Sequence, residues 1–344
     1  MTPGLLNALN ASSSTLLRGF NQATVIACHE AWRRARPALP HEPDLVAMLV
    51  LEGTPYIAQA LSSTLAPHGI RVAVSSIFCH QRPMVAFDRG KRRCELGDVL
   101  FVHVHTAARP HRVFRNSLLL QAKLVAGAVS TISSWQDQVQ LELYASWPRF
   151  VYERSGPRLN GQQRDVKPKA HHHGAQYLLV DKSGPASLAS GFFGLKGTYP
   201  MAVWPAMVTL CASQSFEDEL LRTLMGASGR AFVEFGGTDA SGWSNVVWDL
   251  LTYGVASAFN RRRVGLESSS RAVGDALAED LDGVSFCSPS VGRSRESDAE
   301  GFLERARQLT RKQGQPPVAE SPTALDDQGE YGGVSVVLIE TSEE

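Results

Sequence analysis

The chain has 344 residues, with 34 Lys plus Arg against 34 Asp plus Glu and a formal net charge of zero. Hydrophobic residues make up 43% and charged residues 20%, which sets aside disordered, collagen-like and coiled-coil chains. No uninterrupted apolar run reaches the ~18 residues that cross a bilayer, the N-terminus lacks the charged lead of a signal peptide, and the 5 cysteines form no C-x-x-C pair. The expectation is a cytoplasmic protein with reduced thiols and no membrane partner.

In chain order, residues 12–35 read as a helix: Ser12 to Ser14 offer caps, and Leu16, Leu17, Phe20, Val25 and Ile26 form a stripe. A second helix is predicted from Asp44 to Leu65, kinked or divided at Gly53 and Pro55. The period then changes. Residues 70–78, 99–105 and 116–123 are short β-branched and apolar runs, read as three strands of a meander. A helix is expected after Lys123 through about Tyr144, then a strand at 148–153 and a polar loop over 154–174. Further strands are predicted at 176–180, 231–235 and 334–340. Helices are predicted from Ser215 (a capping-box spacing) to about Gly226, from Trp243 to Ala258, and around 298–312. The class is mixed α and β, divided into 1–180 and an acidic accessory region, 181–344, that can pack as one continuous domain with it.

The neutral charge is unevenly spread. Residues 1–81 carry 5 basic and 4 acidic side chains, residues 82–169 carry 15 and 7, and residues 170–344 carry 14 and 23, which gives +1, +8 and −9. A basic middle segment can present a phosphate-binding face on a neutral protein. Arg89, Lys91, Arg92, Arg93, Arg112 and Arg115 are the candidate contacts.

That segment holds one constellation of chemical interest. Asp98 opens an apolar strand, and Gln121 and Lys123 end the next one. Residues two apart on a strand share a face, so Gln121 and Lys123 project together, and in a hairpin Asp98 lies beside them. A carboxylate, an amide oxygen and an ammonium at one sheet end suit a hard divalent cation and a phosphoryl group. Glu95 is a further oxygen donor close by.

Asp98, a gap, then Gln121-Ala-Lys123 resembles the PD-(D/E)XK nuclease superfamily, in the Mrr-like branch where Gln replaces the second acid. Gly97 stands where Pro is usual. The resemblance covers residues 44–152 and implies a restriction-endonuclease-like αβββαβ core, with a central mixed sheet flanked by helices and a C-terminal α/β extension. It implies catalytic roles for Asp98, Gln121 and Lys123, with Glu52 as a helix-borne acid. It also implies Mg²⁺ or Mn²⁺ on Asp98, Gln121 and Glu95. Gln140-x-x-x-Tyr144 resembles the Gln-x-x-x-Tyr element of RecB-like nucleases, which makes Tyr144 a nucleic-acid contact.

The expected activity is metal-dependent hydrolysis of DNA, as an endonuclease, in a setting such as bacterial anti-phage defence. A regulatory protein partner or a homo-oligomer would restrain it. The competing expectation is a catalytically inactive nuclease-like subunit that binds or assembles with other proteins. His103 and His105 share a strand face and read as packing; His171 to His173 read as a solvated loop. The chain lacks the Gly-rich Lys-Ser/Thr loop that grips nucleotide phosphates and the G-x-S-x-G of nucleophile-elbow hydrolases.

Overall fold

The computed structural model describes residues 1–78, 83–108, 112–155, 159–182, 200–212, 214–260, 284–288, 292–294 and 334–343. The helix expected around 298–312 lies outside them. The N-terminal layer is helical: α1 (Pro3–Ala11), α2 (Ser13–Ala35), α3 (Glu42–Met48) and α4 (Thr54–Leu65). The Asp44 carboxylate accepts the His41 N–H at 2.7 Å and so caps α3. Between α3 and α4, Leu49–Gly53 forms a π-helical turn. Pro55 has no N–H to give to the preceding turn, so the backbone widens there instead of running on as one straight helix. By length and composition the stretch Glu42–His68 could cross a bilayer, but 67% of its apolar window is buried inside the fold. Leu45, Leu49, Ile57, Leu61 and Leu65 all pack into the core beneath the sheet.

The main sheet is mixed. Its strands include β1 (Ile70–Ile77), β4 (Val99–Ala107), β5 (Arg112–Val125), β9 (Ala175–Asp181), β10 (Met201–Trp204) and β15 (Ser335–Glu343), in the order β10-β9-β5-β4-β15-β1. Beyond β1 come β13 (Val284–Ser288) and β14 (Gly292–Ser294), and β12 (Arg230–Ala231) pairs with β5. β4 and β5 form an antiparallel hairpin, and β9 runs parallel to β5. The parallel pair requires a crossover, which contains helix α5 (Trp135–Ser146). Val99 and Phe101 face the α1–α4 layer and α6 (Phe216–Leu224), while Leu100, Val102 and Val104 face α5 and α7 (Trp243–Asn260). Burial on both faces is why these strands read as continuous apolar runs with no alternation.

The expected meander is corrected here. β1 does not pair with β4; β15 lies between them, antiparallel to β1 and parallel to β4. Val336 and Leu338 of β15 join one core and Val337 and Ile339 the other. The described residues on either side of position 180 therefore share both cores. The helix expected to begin after Lys123 starts only at Trp135, because β5 runs on to Val125 and β6 (Val129–Thr131) pairs with β11 (Thr209–Cys211). The predicted strand at 148–153 becomes β7 (Phe150–Glu153). It belongs to a separate sheet, β3-β2-β7-β8, with β2 (Met84–Phe87), β3 (Arg92–Glu95) and β8 (Gln163–Arg164). The strand predicted at 231–235 shrinks to Arg230–Ala231. Beyond it, Ser244 Oγ accepts the Val233 N–H at 3.0 Å and Trp248 Nε1 donates to the Val233 carbonyl at 3.0 Å, so side chains satisfy the backbone in place of a ladder.

Because β15 sits at the centre of the sheet, a cavity there should act on the whole fold. Leu338→Ala is expected to cost about 2–5 kcal/mol and to lower the midpoint of a single denaturant transition followed by circular dichroism. Two separate transitions, with only one displaced, would mean that the halves fold independently.

Candidate functional site

Asp98 is fixed from both sides before β4 begins. Its N–H donates to the Leu120 carbonyl of β5 and its own carbonyl accepts the Ser335 N–H of β15, each at 2.9 Å. Its side chain then turns to β5, where Oδ2 accepts the Ala122 N–H at 2.7 Å. Gly97 makes this approach feasible: a β-carbon there would lie 2.7 Å from Leu119 Cδ1 and 3.0 Å from the Tyr144 hydroxyl. A proline at this position would meet the same atoms.

Gln121 and Lys123 leave β5 on the face covered by α5, and α5 engages both. Gln140 Nε2 donates to Gln121 Oε1 at 2.5 Å and to the Glu95 carbonyl at 3.1 Å. Lys123 Nζ pairs with Asp137 Oδ1 at 2.6 Å. One residue further along β5, the Leu124 N–H donates to Glu42 Oε1 at 2.9 Å, which brings a carboxylate from the first turn of α3 to the same strand end.

The electrostatics reflect this crowding. Burial, the Glu95 carboxylate and the Glu42 carboxylate push Asp98 well above the ordinary carboxylate range, against the opposing pull of the Ala122 N–H and Lys123. For Lys123, burial is the largest influence and acts to lower it. Glu42, Asp137 and Asp98 together outweigh that loss, so its ammonium is held above the usual lysine value. Asp137 is pulled down by the Lys123 and Ser134 hydrogen bonds, although burial opposes them.

Among the described residues, no three His, Cys, Asp or Glu side chains converge as a ready-made metal cage. The donor set is nonetheless all oxygen, as a hard divalent cation requires. The raised Asp98 is the group such a cation would relieve most. The Asp98 and Glu95 oxygens and Gln121 Oε1 are of the kind that Mg²⁺ or Mn²⁺ takes, with Gln121 Oε1 already accepting the Gln140 amide, but Asp98, Glu95 and Glu42 do not form a three-carboxylate site.

Several expected site residues lie elsewhere. Glu52 is corrected: it pairs with Arg34 of α2 at 3.0 Å within the helical layer, and Glu42 is the helix-borne acid at the strand end. Tyr144 is corrected as a nucleic-acid contact, since it is fully buried, donates to the Leu96 carbonyl at 2.7 Å and stacks on Trp147. Arg112 and Arg115 sit at the opposite end of β5 from Lys123; eight residues of strand separate Arg115 from it, about 26 Å. Arg89 and Lys91 are exposed at the tip of the β2–β3 hairpin, Arg92 pairs with Glu142, and Arg93 pairs with Glu153 at 2.9 Å. Asp137 and Glu42 were not anticipated. The available signals were the Ser134-x-x-Asp137 capping pattern and the acid in the first turn of α3.

The histidine pair His103 and His105 is packed, both bonding Thr341 Oγ1 at 3.0 Å, and burial drives His103 down to about 3. In the predicted solvated loop, His172 is instead half-buried, stacked on Trp147 with centroids 5.0 Å apart. A cavity of about 820 Å³ lined by Thr2, His68, His105, Arg112 and Glu343 opens at the other end of the sheet. It is about 23 Å along β4 from Asp98. Three of its polar groups pair with one another, Thr2 with Glu343 at 2.6 Å and with His105 at 3.0 Å. Comparison with protein-family models, curated proteins and solved structures gives no match.

The raised Asp98 makes a signed prediction. Below about pH 4 the carboxyl is protonated in both folded and unfolded chains and costs nothing. As pH rises toward the raised folded value, ionisation increasingly favours the unfolded state. Asp98→Asn keeps an acceptor for the Ala122 N–H and should raise the melting temperature at pH 7, with the gain vanishing near pH 4. A lower melting temperature at pH 7 would show that the carboxylate is not under this strain.

Proposed function

We propose that the protein is a metal-dependent nuclease that hydrolyses DNA phosphodiester bonds, on a restriction-endonuclease-like core within the mixed sheet. The observation that carries this reading is the convergence of Asp98, Glu42, Lys123 and Gln121 at the end of the β4–β5 hairpin, with Glu95 acting on Asp98 from β3. A divalent cation held by Asp98, with Glu95 and Gln121 as further oxygen donors, would supply Lewis-acid charge to the phosphodiester and acidify water. Lys123, kept charged by three carboxylates, neutralises the negative charge that grows on the phosphoryl oxygens. Asp137 holds Lys123 in place until a phosphate replaces it. Gln140 fixes the rotamer of Gln121 beside them. The resemblance to restriction enzymes further suggests a cytoplasmic defence role restrained by a protein partner or a second copy.

The competing reading is a nuclease-like subunit without catalysis, serving assembly. One observation favours it: Gln121 and Lys123 are both engaged by α5. Supercoiled plasmid and single-stranded RNA, incubated with Mg²⁺ or with EDTA, separate the two. The nuclease reading expects Mg²⁺-dependent cleavage of the plasmid, blocked by EDTA and reduced about 100-fold or more in Lys123→Ala, with circular dichroism unchanged. Equal cleavage by that variant removes Lys123 from the chemistry. No cleavage by the wild type under any metal leaves the assembly reading.

A further inference from the structure

Helix α5 has two working faces. Asp137, Gln140 and Tyr144 point to the site and the core. Trp135 and Glu142, seven residues apart, share the opposite side. Trp135 is 64% exposed, which is unusual for the largest apolar side chain. The Arg92 guanidinium of β3 lies 5.7 Å from its ring centroid, and Arg92 is itself held by Glu142. The indole thus has a cation over its ring and most of its surface in solvent. The hairpin that supplies Arg92 carries Arg89, Lys91, Arg92 and Arg93 against two acids, Asp88 and Glu95, and Arg89 and Lys91 are exposed at its tip. Asp88, Arg89 and Gly90 have positive φ values of 50°, 55° and 82°, the left-handed backbone that reverses the chain in so short a turn.

We infer that Trp135 is a stacking platform for an unpaired base, so that the substrate strand is single-stranded where it enters the site. This rests on the nuclease reading above and names its substrate class. In a duplex the base faces are covered by their neighbours, so a ring on the protein surface can stack only on a base that is unpaired or turned out. Charge complementarity fixes the ligand's sign: Arg89 and Lys91, exposed at the tip of the hairpin beside the ring, suit a phosphate backbone, while Arg92 and Arg93 stay with Glu142 and Glu153. A strand contacting Lys123 would reach Trp135 across the width of α5, about 10 Å away, a span of one or two nucleotides.

Binding is measured by fluorescence anisotropy in EDTA, where cleavage cannot contribute, with labelled oligo-dT and with a blunt duplex of equal length. The wild type should bind oligo-dT more tightly than duplex. Trp135→Ala should weaken oligo-dT binding about tenfold and leave duplex binding unchanged, while Trp135→Phe should stay close to wild type. Loss on both ligands alike, loss on neither, or no binding of oligo-dT by the wild type would overturn the inference. So would a changed sedimentation coefficient in Trp135→Ala with nucleic-acid affinity unaltered, which would give the ring to a protein interface. Failure of the nuclease reading has a different signature: no cleavage in Mg²⁺, with the Trp135 effect on oligo-dT intact.

Discussion

A strand that is apolar on both faces must be covered on both faces, and in this protein that requirement governs β4, β5 and β15. Their side chains alternate between the core under α1–α4 and the core under α5 and α7. Neither layer alone suffices, so the chain brings residues from its two ends to the same strands. Insertion of β15 between β1 and β4 follows the same rule, because Val336 to Ile339 are apolar at every position and can be buried only inside a sheet. Polar chemistry is confined to where this cover stops, at the strand ends. Asp98 stands at one such end, joined to β5 and β15 by backbone hydrogen bonds before its side chain is considered.

At that end the balance of charge is set by distance rather than by the composition of the segment. Glu95 and Glu42 both act against the charge of Asp98, and Lys123 is the cation that opposes them. The basic excess of residues 82–169 does not relieve them. Arg92 and Arg93 are committed to Glu142 and Glu153, and Arg112 and Arg115 lie at the far end of the strand. A segment can be strongly basic while its polar centre is acidic. On the proposed function this is a useful division, with acids gathering a cation and bases meeting the phosphate backbone from outside.

How much of this was legible in the sequence depends on the range of the interaction. The β4 and β5 strands, their relation through Asp98, and the shared face of Gln121 and Lys123 follow from apolar runs and a period of two. The pairing of β15 does not, since nothing local to residues 335–343 encodes which strands will accept them. The choice between Glu42 and Glu52 was equally invisible. Both are acids on the same helical layer, and only the packing of α3 against β5 turns the first toward Leu124 while α2 supplies Arg34 to the second. Tyr144 was read from a motif spacing, yet its face of α5 also carries Leu143 and lies against Trp147, so burial wins over contact with a ligand. The β2–β3 hairpin escaped because its four-residue strands are too short for periodicity to register.

The Lys123–Asp137 pair explains how a charged lysine can be kept at the edge of a core before any phosphate arrives. An unpaired ammonium in such a place would lose its proton or turn to solvent. Asp137 prevents both, and its own position is secured by the Ser134 cap at the start of α5. On the proposed function, a substrate phosphate takes over from one anion with another, so Lys123 changes partner without ever being left bare. The cost of the exchange falls on Asp137, which is partly exposed and can turn to water when displaced. The same first turn carries Trp135 on its other side, so a strand that displaces Asp137 and stacks on the indole would engage a single rigid element. Helix α5 would then bind and align the substrate with no further movement of the sheet beneath it.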